Sequence, residues 1–327
     1  MNTKRIMYLL LREAGVGIAL VLLCIIFIFA EPKFATMLNF TNILVQISIN
    51  MVLAIGLTYV ILLGGIDLSV GSVLALCTIV AGKVITSDTL PVPAAIVLAI
   101  LASLGVGVLC GFFNGYISNR WNLHPFIVTL GMLNIARGAA QQISNSRTIF
   151  SFPAVFNSFG SKTIGGVPII FLISLVMVVI AGFVLRKTVF GRVIYAVGNN
   201  EESARLSGHN SGFYKVIVFV ISGFCVGVAA ILYMLRLNIA SPILGVGFEL
   251  NAIAAAVIGG TSMFGGKGSL LGTFFGACII GVLNNGLLLI GLSDNARLMV
   301  TGLIIIGAVI ADYYRARVSV SLSVQQQ

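Results

Sequence analysis

The feature that leaves this chain least freedom is the length of its apolar runs. Blocks of aliphatic and aromatic residues fall near 14–30, 42–63, 69–86, 94–117, 125–143, 167–185, 214–234, 250–264, 269–291 and 297–312. Roughly 20 such residues in a helix cross a hydrocarbon core of ~30 Å. Inside a bilayer no water satisfies the backbone, so only helices and closed barrels can span it. A barrel would alternate polarity over ~10-residue strands, and no such alternation appears. Composition agrees: 59% of the 327 residues are hydrophobic and 9% charged, against about 25% charged in soluble domains. The expected fold is an all-α polytopic membrane protein of about ten transmembrane helices, with residues 1–327 forming a single transmembrane domain. The eighth block is short for a full crossing and reads as broken or re-entrant.

Charge sets the orientation. The net charge of +10 is scattered and lacks interleaved aromatics, which argues against nucleic acid as a partner. With the N-terminus in the cytoplasm, Lys4, Arg5, Arg12, Arg120, Arg186, Lys187, Arg192, Arg205, Lys215, Lys267, Arg315 and Arg317 fall on that side. The opposite side holds Lys33, Lys83, Arg147, Lys162, Arg236 and Arg297, and Arg137 lies within the fifth span. Twelve against six follows the positive-inside rule with both termini cytoplasmic. Trp121 beside Arg120, and Tyr313 and Tyr314 before Arg315, are expected at the interface with lipid headgroups. The first run ends in "IFIFAEPKF", a poor cleavage site, so it reads as an uncleaved helix. Cys24, Cys77, Cys110, Cys225 and Cys278 all lie in apolar runs and read as small buried hydrophobes.

The glycines are the second signal. Gly107, Gly111 and Gly115 repeat at four-residue spacing in the fourth span, as do Gly268, Gly272 and Gly276 in the ninth and Gly223 and Gly227 in the seventh. Such stripes let helix backbones approach closely where no hydrophobic effect drives association. "GFFNG" (111–115) recurs as "GVLNNG" (281–286), in spans that run in opposite directions. That recurrence points to a five-plus-five inverted repeat, an architecture common among transporters.

No enzyme constellation is present. His124 and His209 sit in separate polar segments, with no nearby pair of carboxylates or cysteines to complete a metal site, so no metal site, cofactor or catalytic residue is expected on this chain. "TSMFGGKGS" (261–269) superficially resembles a phosphate loop, but Thr261 stands where the first glycine belongs and Gly268 follows Lys267. A carrier driven by protons or sodium needs intramembrane titratable groups, and only Asp67 and Arg137 qualify. A path lined by Asn50, Thr58, Asn134, Asn284 and Asn285 suits a neutral, hydroxyl-rich solute. Each of these side chains is equally suited to interhelical hydrogen bonding, worth ~0.6 kcal/mol on average.

Asp67 is placed between Gly65 and Gly71, at the junction of the second and third spans. Glycines there let the backbone leave one helix, and Asp67 or Ser69 can cap the next. An acid also suits a helix start, and Glu249 repeats the arrangement before the eighth span. A helix break is the first reading of Gly65, Asp67, Ser69 and Gly71; direct contact of Asp67 with substrate is the second.

The polar segment 186–215 is too hydrophilic to span. Asn199 or Asn200 can cap a short helix over 199–208, Glu201 and Glu202 suit its first turn, and Gly208 ends it. "GGIDLSVGS" (64–72), "YAVGNNEESARLSG" (195–208) and "FELNAIAAAVIGGTSMFGGKGSLLGTFFGA" (248–277) together resemble the permeases of bacterial ribose-type sugar ABC importers. The resemblance runs from "NILVQISIN" (42–50) to the tenth span. It implies a multi-pass subunit of the bacterial inner membrane, surrounded by membrane lipid, with a fold similar to the vitamin B12 importer permease. It also implies a second permease copy (the same chain or a close homologue), a cytoplasmic ABC ATPase and a periplasmic sugar-binding protein. By the same resemblance the cytoplasmic segment 186–213 docks the ATPase, with Gly198, Asn199, Glu201, Ala204, Arg205, Leu206 and Gly208 as coupling residues. The alternative is a stand-alone facilitator or secondary carrier, which needs no ATPase and no docking helix.

Overall fold

The computed structural model describes the backbone of residues 3–324 and the side chains of residues 15–310. The side chains of Lys4, Arg5, Arg12, Tyr313, Tyr314, Arg315 and Arg317 therefore lie outside the described residues. Ten helices occupy the ten apolar blocks, and three further helices lie between them. In chain order they are α1 (Thr3–Ala30), α2 (Met37–Leu62), α3 (Val70–Ile85), α4 (Val92–Arg120), α5 (Pro125–Ser144), α6 (Ala154–Gly160) and α7 (Ile169–Lys187). Then follow α8 (Val189–Asn199), α9 (Glu201–Leu206), α10 (Ser211–Leu237), α11 (Phe248–Ile258), α12 (Leu270–Leu289) and α13 (Asp294–Val324). Among the described residues, five helices, α2, α4, α7, α10 and α12, are both long and apolar enough to cross a membrane by length and composition alone. The protein is an all-α polytopic membrane protein.

Local chemistry sets many of the boundaries. Thr36 caps α2 by accepting from the Asn39 amide at 3.3 Å, Asn210 caps α10 through Phe213, and Ser269 caps α12 through Gly272. α11 has 11 residues, about 16 Å at 1.5 Å per residue, so it reaches only halfway across a bilayer.

α2 and α10 pack together at the centre. Around them the contacts repeat: α3 lies against α4 and α5 as α11 lies against α12 and α13, and α4 packs on α10 as α12 packs on α2. The recurring glycine motif thus falls on corresponding helices, α4 and α12. The repeat is clearest over four helices a side, since α1 packs on α12 while α7 packs on α2. The stripes do bring backbones together: a Cβ on Gly107 would meet the Gly223 carbonyl, and one on Gly115 would stand 2.8 Å from Val216 Cα. Ser103 Oγ ties the same pair of helices by donating to the Gly227 carbonyl at 2.9 Å.

Two features exceed the sequence reading. Opposite the α8–α9 face, β1 (Ile149–Phe150) pairs antiparallel with β4 (Ile239–Ala240), and β2 (Thr163–Ile164) with β3 (Val167–Pro168). Together with α6 they cap that end of the bundle. On the other face the polar segment forms two helices where one was expected: Asn199 ends α8, and Asn200 caps α9 by accepting from the Ser203 amide at 2.9 Å.

Candidate functional site

Two half-helices begin inside the bundle. After Leu62 the chain leaves α2 and runs without helix to Val70, where α3 starts. Asp67 lies in this stretch and is only 3% exposed. Its Oδ1 accepts from the Ser69 amide at 3.0 Å and from Ser69 Oγ at 2.6 Å, and its Oδ2 accepts from Ser222 Oγ at 3.3 Å. Asn114 Nδ2 donates to Ser69 Oγ at 3.0 Å. Thr129 Oγ1 accepts from the Leu68 amide and donates to the Ile66 carbonyl, each at 3.2 Å. Ser222 is 11 residues into α10, about 16 Å along it, so this network sits near mid-depth. Ser69 occupies the capping position of α3 without a side-chain capping bond, and Asp67 fastens Ser69. Among the described residues no cation pairs with Asp67.

The second break descends from β4 to α11. Its backbone meets the first: a Cβ on Gly71 would strike the Gly245 carbonyl and the Glu249 carboxylate. Arg137 of α5 holds this stretch by donating from Nη1 to the carbonyls of Pro242 and Leu244, each at 2.6 Å. Glu249 Oε1 accepts from the Gly247 amide at 3.2 Å. Gly247 and Gly260, on either side of α11, have φ of +82° and +86°, a region that glycine enters without strain.

The expected path residues separate. Asn50 and Asn284 are among the residues lining one pocket of about 100 Å³ between α2, α10, α11 and α12, together with Gln46, Arg236, Asn251 and the apolar Ile49, Phe248 and Ile280. Thr58 is fully buried and bonded to Thr273 Oγ1 at 2.8 Å, which ties α2 to α12. Asn285 donates to Asn39 Oδ1 at 2.9 Å in a second α12–α2 tie. Asn134 is exposed on α5 and bonds its own helix at Leu130. Sequence reading overlooked Gln46, Asn251 and the Arg137 clasp; the Gln46–Asn50 pair, one turn apart in an apolar run, was the available signal.

The α8–α9 face is joined to the end of α2, where the first break begins, and to the loop that follows α11. The Gly266 amide donates to the Leu62 carbonyl at 2.8 Å, and Gly198 is so close that a Cβ there would lie 2.7 Å from Gly266 N. Asn199 Nδ2 reaches the Gly266 carbonyl at 3.4 Å, and Tyr195 OH donates to Gly268 O at 2.8 Å. Ala204 is buried with Val193 and Val197 against Leu63 and Tyr214. Glu201 pairs with Lys215 at 2.6 Å, while Arg205 and Glu202 pair at 2.7 Å in the open. Burial pushes the Glu201 carboxyl up, but Lys215, Ser211 and Arg205 together hold it below the usual range. Leu206 is 79% exposed, and Gly208 ends the turn at φ +85°. Among the described residues no group of histidines, cysteines and acids could hold a metal.

The family described as "Branched-chain amino acid transport system / permease component" matches residues 39–309. The ribose import permease protein of Haemophilus influenzae is 42% identical over 91% of this chain and 92% of its own length. The D-allose transport system permease protein of Escherichia coli is 40% identical over 91% and 90%, and the fructose import permease protein of Rhizobium meliloti 36% identical over 88% and 81%. No solved structure matches, and the expected likeness to the vitamin B12 importer permease is not shown.

Proposed function

This chain belongs to the permease-component family, a multi-pass inner-membrane transport protein, and from that premise we propose that it carries a monosaccharide as the membrane-spanning subunit of an ATP-driven importer. Its relatives named for ribose, allose and fructose support the sugar class. The observation that carries the mechanism is the continuity from the exposed α9 surface, through Gly198, Leu62 and Gly266, to the two half-helices.

In this reading the α8–α9 face is cytoplasmic, as its basic residues favour. A partner ATPase docks on Leu206 and on the Glu202–Arg205 pair, whose guanidinium offers a planar set of five donors. Closure of the ATPase pushes α8 against the loop 259–269. That loop ends α11, a short rod with a flexible glycine at each end, so the push tilts α11 and opens or closes the path beside it. A second permease copy completes the transport unit, and a periplasmic binding protein delivers sugar to the β1–β4 face.

The purified chain alone in liposomes is expected not to equilibrate D-ribose, D-allose or D-fructose, and to import one of them once ATPase, binding protein and ATP are supplied. Equilibration by the chain alone would establish a facilitator and overturn this reading. Arg205→Glu is expected to weaken co-purification of the ATPase without affecting membrane insertion; undiminished co-purification would remove Arg205 from the docking surface.

A further inference from the structure

A groove opens on the outer surface of the bundle. α4 and α7 present Val97, Leu101, Val176 and Ile180 as exposed apolar side chains, which in a bilayer meet lipid tails. Between these two helices α10 forms a floor from Val228 to Leu235. α4 supplies one wall from Ile96 to Leu104, and Ile173 of α7 the other. α6 lines the end nearest the β1–β4 pair and packs tightly there, since a Cβ on Gly160 would strike the Leu235 carbonyl. The groove has a volume of about 420 Å³, and every residue lining it is apolar. From Ile96 to Leu104 it follows α4 for about 12 Å. That is most of the ~15 Å that one leaflet contributes to a hydrocarbon core of ~30 Å.

The lining decides what can fill it. Water finds no polar partner there, and an empty groove forfeits dispersion contacts along its whole length. A cavity of about 150 Å³ holds benzene, so by that measure this one holds on the order of sixteen carbons, the bulk of one fatty tail. At the α6 end the chemistry changes. Phe159 lines the groove, and Lys162 Nζ stands 6.0 Å from the centre of its ring, a cation held at an aromatic face. Lys162 is exposed, and among the described residues no acid pairs with it. An apolar slot with a free cation at its end matches the order of parts in a phospholipid, tail and then phosphate, and an ammonium serves phosphate as a point charge. A second copy of this chain would have to bring apolar side chains for the slot and an acid for Lys162 from separate positions; a phospholipid carries both in one molecule.

We infer that the groove between α4, α6, α7 and α10 is a binding site for one phospholipid of the leaflet on the β1–β4 side, with a fatty tail along α10 and the phosphate on Lys162. The tail fills the space between the walls and supports α6, which helps to cap that end of the bundle. This site goes beyond the transport reading above and does not depend on which solute is carried.

The test uses the full chain, purified from bacterial membranes in mild detergent, washed to strip loosely held lipid and weighed by native mass spectrometry. Wild type is expected to retain one phospholipid, and to take up one again when palmitoyl-oleoyl-phosphatidylglycerol is added after exhaustive washing. Ile231→Trp, which fills the floor, and Lys162→Gln, which removes the cation, are each expected to lower that occupancy about five-fold or more; Lys162→Arg is expected to keep it. Lys162 is exposed, so its variants test the site even where Ile231→Trp fails to accumulate. Wild type that neither retains nor takes up a phospholipid, or occupancy of Lys162→Gln within about two-fold of wild type, overturns the site. Ready cross-linking of Val155→Cys on α6 between two copies by a short bis-maleimide in native membranes would show that a second copy covers the groove, and would overturn it as well.

Discussion

The break before α3 is filled by its own side chains, whereas the break before α11 is left open. Asp67, Ser69, Asn114, Ser222 and Thr129 knit the first into a network drawn from three neighbouring helices. The second is held mainly from outside, by one arginine on two carbonyls, with Ile243 and Val246 exposed along it. α11 is also the shorter rod, 11 residues against 16, and alone of the two is bounded on both sides by left-handed glycines, Gly247 and Gly260. One topological device thus appears in two builds. A network of buried hydrogen bonds resists movement, since leaving a buried donor unpaired costs about 1–3 kcal/mol; a clasp on backbone carbonyls can let go and re-form. The first break reads as the fixed frame, the second as the moving part.

Substitutions can break or sharpen that contrast. The largest effect is expected of Gly71→Leu, where the two breaks touch: the side chain would overlap the Gly245 carbonyl and the Glu249 carboxylate. It should prevent assembly, seen as loss of protein from the membrane fraction. Normal accumulation would mean that the breaks are not packed together. Asp67→Leu comes next. It orphans the Ser69 amide, Ser69 Oγ and Ser222 Oγ, at about 1–3 kcal/mol each, and should lower the thermal midpoint in detergent by many degrees. Asp67→Asn keeps an acceptor and should lose far less; equal losses for the two would show that the negative charge, rather than acceptance of hydrogen bonds, holds the frame.

Arg137→Met removes two charge-assisted hydrogen bonds of about 1.5–3 kcal/mol from the second break. If that break is the moving part, the variant should accumulate normally yet uncouple ATP hydrolysis from uptake. A folding defect as deep as that of Asp67→Leu would erase the distinction between frame and clasp. The smallest effect belongs to Glu201 and Lys215, an ion pair only partly shielded from solvent. Its carboxyl is held below the usual range, so its contribution is present above the ordinary carboxylate pKa and lost as pH falls through the folded value. Glu201→Gln should flatten that acidic limb by less than about 1 kcal/mol; an unchanged limb would mean that the pair adds nothing to docking of α9.

Much of the frame was readable because a bilayer tolerates so few backbones. Each of the ten apolar blocks became a helix, and the glycine stripes became close helix contacts, since spacing alone puts i and i+4 on one face. Asp67 was readable as a break because glycines flank it. The second break was harder to see: 241–247 looks like an ordinary loop, and only the fold brings Arg137, 105 residues away, onto Pro242. The amphipathic helix α8 was hidden for a different reason. Its apolar face packs on Leu63 and Tyr214, residues remote in sequence, so the polar character of 186–215 was all that could be read. The pocket followed the same rule: Gln46 and Asn50 mark it locally, but Arg236 and Asn251 join it only through the packing of α10 and α11.

The most direct measurement is a pair of spin-label distances in the assembled importer, with and without nucleotide trapped on the ATPase. One pair joins Val246, 74% exposed beside the second break, to Asp88 beyond the end of α3. The other joins Asp88 to Leu123, just before α5, and reports on the first half alone. Trapping should shift the Val246–Asp88 distribution and leave Asp88–Leu123 unchanged. A shift confined to Asp88–Leu123, or none in either pair, would contradict a fixed first break and a moving α11.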